Sequence, residues 1–326
     1  MDVSTRDSLR LSNPRKGAAI PIAQRDSRGL ELLLRLASPP SQEKLVNKNI
    51  LKTFWYWLEE RQNIYLKKEA GDPKPWTQDP ILQEYKFTNV FRQQDRVTVE
   101  LNKRYKKRDS HATLFWKIIL FRMFNLPETY DELFEVGMVN QWNERKAKRV
   151  LHKRKELGHK IFTGAYIISN AGNTRPKIDL VCEALTNIWK HRESILAAIK
   201  IERSIEATTN ILSQYPMIGK FIGYEIATDL RWTPILNQAK DIYTWANPGP
   251  GARRGCNRIW RSAYNDKAAT IEQYMDEMRW LLAEAPRVDG KKLEMRDIEH
   301  SLCEFDKYMR VYNGEGRPRS KYDGEA

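Results

Sequence analysis

Met295, Ile298, Leu302, Phe305, Met309 and Tyr312 step along the chain by three or four residues, and this stripe constrains the fold more than any other feature. A helix turns once per about 3.6 residues, so such steps put these side chains on one face that must be buried. A second stripe, Glu299, Cys303, Asp306 and Arg310, runs beside it. The helical period recurs upstream, whereas the two-residue alternation of a half-buried strand is scarce. The expected class is therefore mainly α, with short strands or extended pieces confined to residues 162–169.

Residues 1–41 are rich in Ser, Arg and Pro and read as a basic, partly disordered arm; an ordered extension packed on the body is the competing reading. A helical body is expected over 42–315 and a basic, extended tail over 316–326. Within the body, Glu43–Lys68 reads as a helix with an aromatic flank (Phe54, Trp55, Trp57, Leu58), broken by Gly71 and the prolines after it. Helical patterns follow over Ala112–Asn125, from Thr129, and over Asn143–Gly158, Lys177–Lys200 and Ile205–Gln214. Leu114–Phe124 is the most apolar run, but Lys117 and Arg122 interrupt it. It is too short to span a bilayer and reads as a core helix, so no membrane partner is expected.

Lys86–Thr98, continued to Leu101, reads as one helix turned two ways. Val90, Phe91, Val97 and Leu101 form an apolar face. Asn89, Arg92 and Arg96 fall on another face, with Asp95 beside both arginines. Asn, Arg and Asp suit phosphates and base edges better than an interchangeable Lys/Glu surface does. An ion pair of Asp95 with the arginines is the structural alternative.

Charge points the same way. The 326 residues carry a net charge of +14, with 10 Trp, 14 Tyr and 10 Phe, and nucleic acid is the first anionic partner to consider. The basic run Asn143–Gly158 offers Arg145, Lys148 and Arg149 to DNA, although such runs are as often solvated faces. Cys182, Cys256 and Cys303 form no C-x-x-C pair, and the His residues have no metal spacing, so no metal or other cofactor is expected. A sparse, odd cysteine count fits a reducing cytosol.

Leu212–Ala227 resembles a helix-hairpin-helix element, in which backbone N–H groups opening the second helix hold a DNA phosphate. Gly219 and Lys220 would sit at that point, although Met217 stands where the first hairpin Gly is expected. Asp241 follows at a spacing similar to the catalytic Asp of helix-hairpin-helix DNA glycosylases, and a helix cap or salt bridge is its alternative. Phe221 occupies the place of the lyase lysine, so Schiff-base chemistry is not expected. Gly249, Gly251 and Gly255, with Arg253, Arg254 and Arg258, read as a glycine-rich turn opening a basic helix, a candidate anion cradle. No Walker A sequence occurs. In Asp297–Arg310, the side chains of Glu304, Asp306, Lys307 and Arg310 either form structural ion pairs or line a pocket.

Phe87–Thr98, Leu114–Asn125, Gly249–Gly255 and Asp297–Arg310, taken in this order, resemble the amino acid:DNA transferase family. That family is also described as α-glutamyl/putrescinyl thymine pyrophosphorylase and is related to the helical domain of 5-hydroxymethyluracil DNA kinases. The resemblance implies a helical, DNA-glycosylase-like scaffold and a bacteriophage DNA-hypermodification enzyme working in the host cytoplasm. Its substrate would be double-stranded DNA carrying phosphorylated 5-hydroxymethyluracil, its donor glycine, glutamate or putrescine, with a functional link to a 5-hydroxymethyluracil DNA kinase.

That chemistry assigns provisional roles. Arg92, Arg96, Arg253 and Arg254 would stabilise the leaving phosphate, with Asn89, Gly249, Gly251, Lys307 and Arg310 around the substrate. Asp95, Asp241 or Glu304 would take the amine proton. Addition of a Cys303 or Cys256 thiolate to the base is a second route. The rival functions are a helix-hairpin-helix glycosylase acting on modified thymine and a non-catalytic DNA-binding partner of a DNA kinase.

Overall fold

Asn47 opens the first helix by accepting the backbone N–H groups of Asn49 and Ile50, and the chain leaves that helix through Gly71 at φ 79°. The computed structural model describes residues 46–106, 108–164, 168, 170, 172–318 and 320–322, so the arm expected over 1–41 lies outside the described residues. Among the described residues twelve α-helices follow one another: α1 Lys48–Ala70, α2 Pro80–Glu84, α3 Arg96–Lys103, α4 His111–Arg122, α5 Pro127–Glu135, α6 Glu144–Glu156, α7 Lys177–Glu202, α8 Ile205–Leu212, α9 Lys220–Leu230, α10 Pro250–Trp260, α11 Ile271–Glu284 and α12 Met295–Tyr312. Among the described residues the only β pairing is two isolated bridges, Tyr85–Lys321 and Val288–Lys291. Of the extended pieces expected at 162–169, residues 165–167 and 169 lie outside the described set.

The helices share one apolar core. On α12 the predicted stripe holds for Met295, Ile298, Leu302, Phe305 and Met309, all buried, while Tyr312 ends the helix in solvent. Its most extensive partner is α10. Phe54 of α1 closes on Phe305 with ring centroids 5.1 Å apart. As expected, α4 is buried all round, and its charged members are neutralised in place. Lys117 meets Asp109 at 2.5 Å, and Arg122 pairs with Asp229. No described helix is long and apolar enough to cross a membrane.

One expectation changes. Residues 86–101 are not one helix. A loop leads to a single 3-10 turn at Arg92–Gln94, Asp95 is extended, and only Arg96 begins α3. The apolar face survives the break, since Val90, Phe91 and Leu101 are buried. The polar face does not, because Arg92 turns inward while Arg96 is exposed. In the tail, residues 320–322 pack on the body. Lys86 N–H donates to Ser320 O at 3.0 Å and Tyr322 N–H to Glu84 O at 2.9 Å.

Candidate active site

Residues 87–89 are held from three sides. From α1, Arg61 donates to Phe87 O, to Thr88 O and, at 2.5 Å, to Asn89 Oδ1. From α12, Glu304 accepts the Thr88 N–H at 3.2 Å and pairs with Lys307. The Asn89 N–H donates to Asp95 at 3.0 Å. His300 Nε2 lies 2.6 Å from Thr88 Oγ1 and 3.5 Å from Asp95 Oδ2. Hydroxyl and carboxylate thus share one ring nitrogen. A nucleophile–histidine–carboxylate relay needs the two on opposite nitrogens, so this cluster positions groups and does not activate the threonine.

Beneath it lies a buried ionic layer. Arg92, only 3% exposed, pairs with Asp95 at 2.9 Å and with Glu225. Arg122 pairs with Asp229 and comes within 3.7 Å of Glu225. Thr98 Oγ1 accepts from both guanidinium groups. Burial alone would raise the Glu225 carboxyl, but the charges of Arg92 and Arg122 hold it below its ordinary value. Arg92 is therefore committed to carboxylates, whereas Arg96 is exposed at the start of α3. The ion-pair alternative for Asp95 describes its contact with Arg92, and Arg96 takes no part.

The glycine-rich segment also differs from an anion cradle. A Cβ built on Gly251 would stand 2.3 Å from Cys303 Sγ, and one on Gly255 would stand 2.4 Å from Leu302 O. These glycines let α10 approach α12, and the close neighbour is a helix, not a phosphate. Arg254 and Arg258 meet the buried Asp306 at 2.7 and 2.9 Å, with Arg310 at 3.6 Å. Arg254 and Arg310 thus belong to a structural network. Arg253 donates to Pro248 O and stays partly exposed.

Gly249 differs from the other two. Its N–H points at Glu299 Oε1, 3.3 Å away. Burial pushes the Glu299 carboxyl up to about 8, against the opposing pull of that N–H, and the nearby Glu225 adds to the rise. Glu299 nevertheless stays partly accessible, as do His300, Cys303 and Lys307 on the same side of α12 and Thr88 and Asn89 across from them. We take this side of α12 and the facing residues 88–89 as the two walls of the candidate cleft, with Glu299 as its carboxyl of raised pKa. Burial, with Glu304 next in effect, pushes the Cys303 thiol up to about 12, and Cys256 is fully buried and raised as well. Neither thiol forms a thiolate readily, which disfavours the thiolate route. Burial acts to lower the Lys307 ammonium, but Glu304 holds its pKa above the ordinary value.

Beside this cleft, α8 and α9 pack as a helical pair joined by a tight turn. Met217 takes φ 64°, the left-handed conformation that a hairpin glycine would adopt without strain. Gly219 caps α9 and Lys220 is exposed at its first position. The side chain of Asn247 reaches Lys220 O at 3.5 Å, so the start of α9 lies close to Gly249. Asp241 does something else. It accepts from Ser204 Oγ and from the N–H groups of Ile205 and Glu206 at 2.7–2.9 Å, capping α8 with both oxygens engaged. On α6, Arg145 and Arg149 are exposed, while Lys148 is tied to Glu144 and Glu183.

Glu299, His300 and Thr88 were not singled out as site residues. Glu299 lay on the second stripe of α12, the one available signal; its burial depends on the approach of α10, which no local pattern encodes.

A family model described as the 5-hmdU DNA kinase helical domain matches residues 48–317. The 5-hmdU DNA kinase of Bacillus phage SP10 is 29% identical over an alignment of 290 residues that covers 78% of this chain and 44% of that protein. The chain thus spans less than half the length of this relative. No solved structure matches.

Proposed function

This chain belongs to the family of the 5-hmdU DNA kinase helical domain, and from that premise we propose that it is a transferase acting on phosphorylated 5-hydroxymethyluracil in DNA. It replaces the phosphate or pyrophosphate with the amine of glycine, glutamate or putrescine. The amine nitrogen attacks the 5-CH2 carbon and forms the C–N bond. The C–O bond breaks, and the phosphate leaves with the electron pair. The ammonium proton passes to Glu299. The observation that carries this reading is the match to the 5-hmdU DNA kinase helical domain, supported by the partly accessible Glu299 carboxyl beside the Gly249 N–H, which burial raises to about 8. A base is most effective when its pKa lies near the working pH.

Other residues take supporting roles. Lys307 and His300 face the leaving group, and Thr88 and Asn89 contact the base. Gly219 and Lys220 act as a helix-hairpin-helix phosphate contact beside the cleft, on a glycosylase-like scaffold that presents the target base out of the stack. The test is incubation with DNA carrying phosphorylated 5-hydroxymethyluracil and the three amines, followed by mass spectrometry of the nucleosides. An amine adduct supports the reading, and its absence with every donor overturns it.

A second reading is favoured by the name of the relative and by the partial coverage of it. The chain would be a non-catalytic module that holds DNA for a kinase. DNA binding and stimulation of a kinase, with no adduct formed, would select it.

A further inference from the structure

Lys68, Lys74 and Lys86 converge on two aromatic rings at the far end of the loop that borders the cleft. Lys68 Nζ lies 5.2 Å from the Trp76 ring centroid and 5.6 Å from that of Tyr322. Lys74 Nζ lies 5.5 and 5.9 Å from the same rings, and Lys86 Nζ 5.6 Å from Tyr322. The rings meet edge to face at 5.9 Å. Between them and the apolar floor of Ile64 and Leu82 is a cavity of about 250 Å³.

Among the described residues, neither Lys68 nor Lys74 has a carboxylate within ion-pair distance. Glu84 of the neighbouring α2 is paired with Lys321 at 2.6 Å. Burial holds the Lys68 ammonium below its ordinary value, and Arg61, Lys86 and Lys74 add to this, with only Glu69 opposing. The nearby guanidinium of Arg61 is buried and leaves Nη1 without a hydrogen-bond partner. Crowded cations beside exposed ring edges and an apolar floor fit a phosphate attached to a flat, uncharged ring.

We propose that this pocket binds one nucleotide of a DNA strand, its phosphate between Lys68 and Lys74 and its base against Trp76 and Tyr322. Position argues for a strand over a free nucleotide. Lys86 stands two residues before Thr88, at most about 7 Å of chain, so a strand leaving the pocket runs directly toward the cleft. The site is thus a subsite for a nucleotide flanking the modified base. It rests on DNA as the partner and not on the transfer reaction.

The test uses the full chain and an unmodified, fluorescently labelled oligothymidylate with no amine present, so failure of transfer chemistry leaves the result readable. The double variant K68Q/K74Q, changed at two exposed positions, should weaken binding about tenfold or more. It should also flatten the slope of log K against log salt by about 1.4, roughly 0.7 per lysine on a single strand. W76L, with its fold checked by thermal melting, should weaken binding while keeping the slope. Unchanged affinity and slope in K68Q/K74Q overturn the proposal. Free thymidine monophosphate should compete only weakly; competition as strong as that of the oligonucleotide would show a free-nucleotide site and overturn the strand assignment.

Discussion

A carboxyl that keeps its proton near neutrality has opposite effects on stability and on chemistry. Glu299, raised to about 8, holds in the folded state a proton that the unfolded chain has already lost. Its contribution to stability is fully present below the ordinary carboxyl value and is lost as pH rises through about 8. The variant E299Q should therefore be more stable than the parent at pH 8 and lose that advantage toward pH 4, as read by denaturant melts across pH. Transfer needs the ionised form, so the parent rate should climb with pH to a plateau above about 8. E299Q should lose about 10²–10⁴-fold in rate and show no such climb. Glu294, raised by burial and the neighbouring Asp297 to about 7, contributes to the stability profile with the same sign but lies outside the cleft, so E294Q should leave the rate profile in place. The charged partner of Arg92 was visible in the sequence as Asp95, three residues on. Its second partner, Glu225, lies in a different helix, and without it Arg92 reads as a surface residue free to meet phosphate.

Among elements, the pairing of α10 with α12 decides most. A methyl on Gly251 meets the end of a side chain, whereas one on Gly255 meets the Leu302 backbone. G251A should cost about 1–3 kcal/mol, with part of that recovered in a C303A background. G255A should cost more, and no side-chain change should relieve it, as a double-mutant cycle by chemical denaturation would show. D306N weakens the network that holds Arg254, Arg258 and Arg310. It should lose about 3–5 kcal/mol of stability, with the activity of the remaining folded protein retained. The helices themselves were legible, because caps such as Asn143 and breakers such as Gly71 act locally. The misread element was 86–101. Its apolar spacing fits a helix, but the polar groups of Thr88 and Asn89 bond to Glu304, His300, Asp95 and Arg61 instead of to a helical ladder. Helix α11 is marked in the sequence only by the capping box of Thr270 and Gln273 at its start.

For the whole molecule, the +14 charge predicts DNA binding that weakens steeply with salt. K220Q should reduce the salt slope on duplex DNA by about 0.9 and weaken all sequences alike, whereas R145Q/R149Q tests whether α6 faces DNA or solvent. An unchanged slope in both variants would remove these helices from the interface. One feature of the architecture bears on how the protein is made. The Thr88 N–H finds its partner 216 residues later, at Glu304, and Tyr85 pairs later still, with Lys321. At a synthesis rate of roughly 5–20 residues per second, the loop therefore waits roughly 10–40 s on the ribosome before its partner emerges. Helices α1 to α9 have time to form during that wait, but the cleft has not yet acquired its second wall. The anchoring of residues 85–88 is thus a single late step, made when α12 and the segment after it dock.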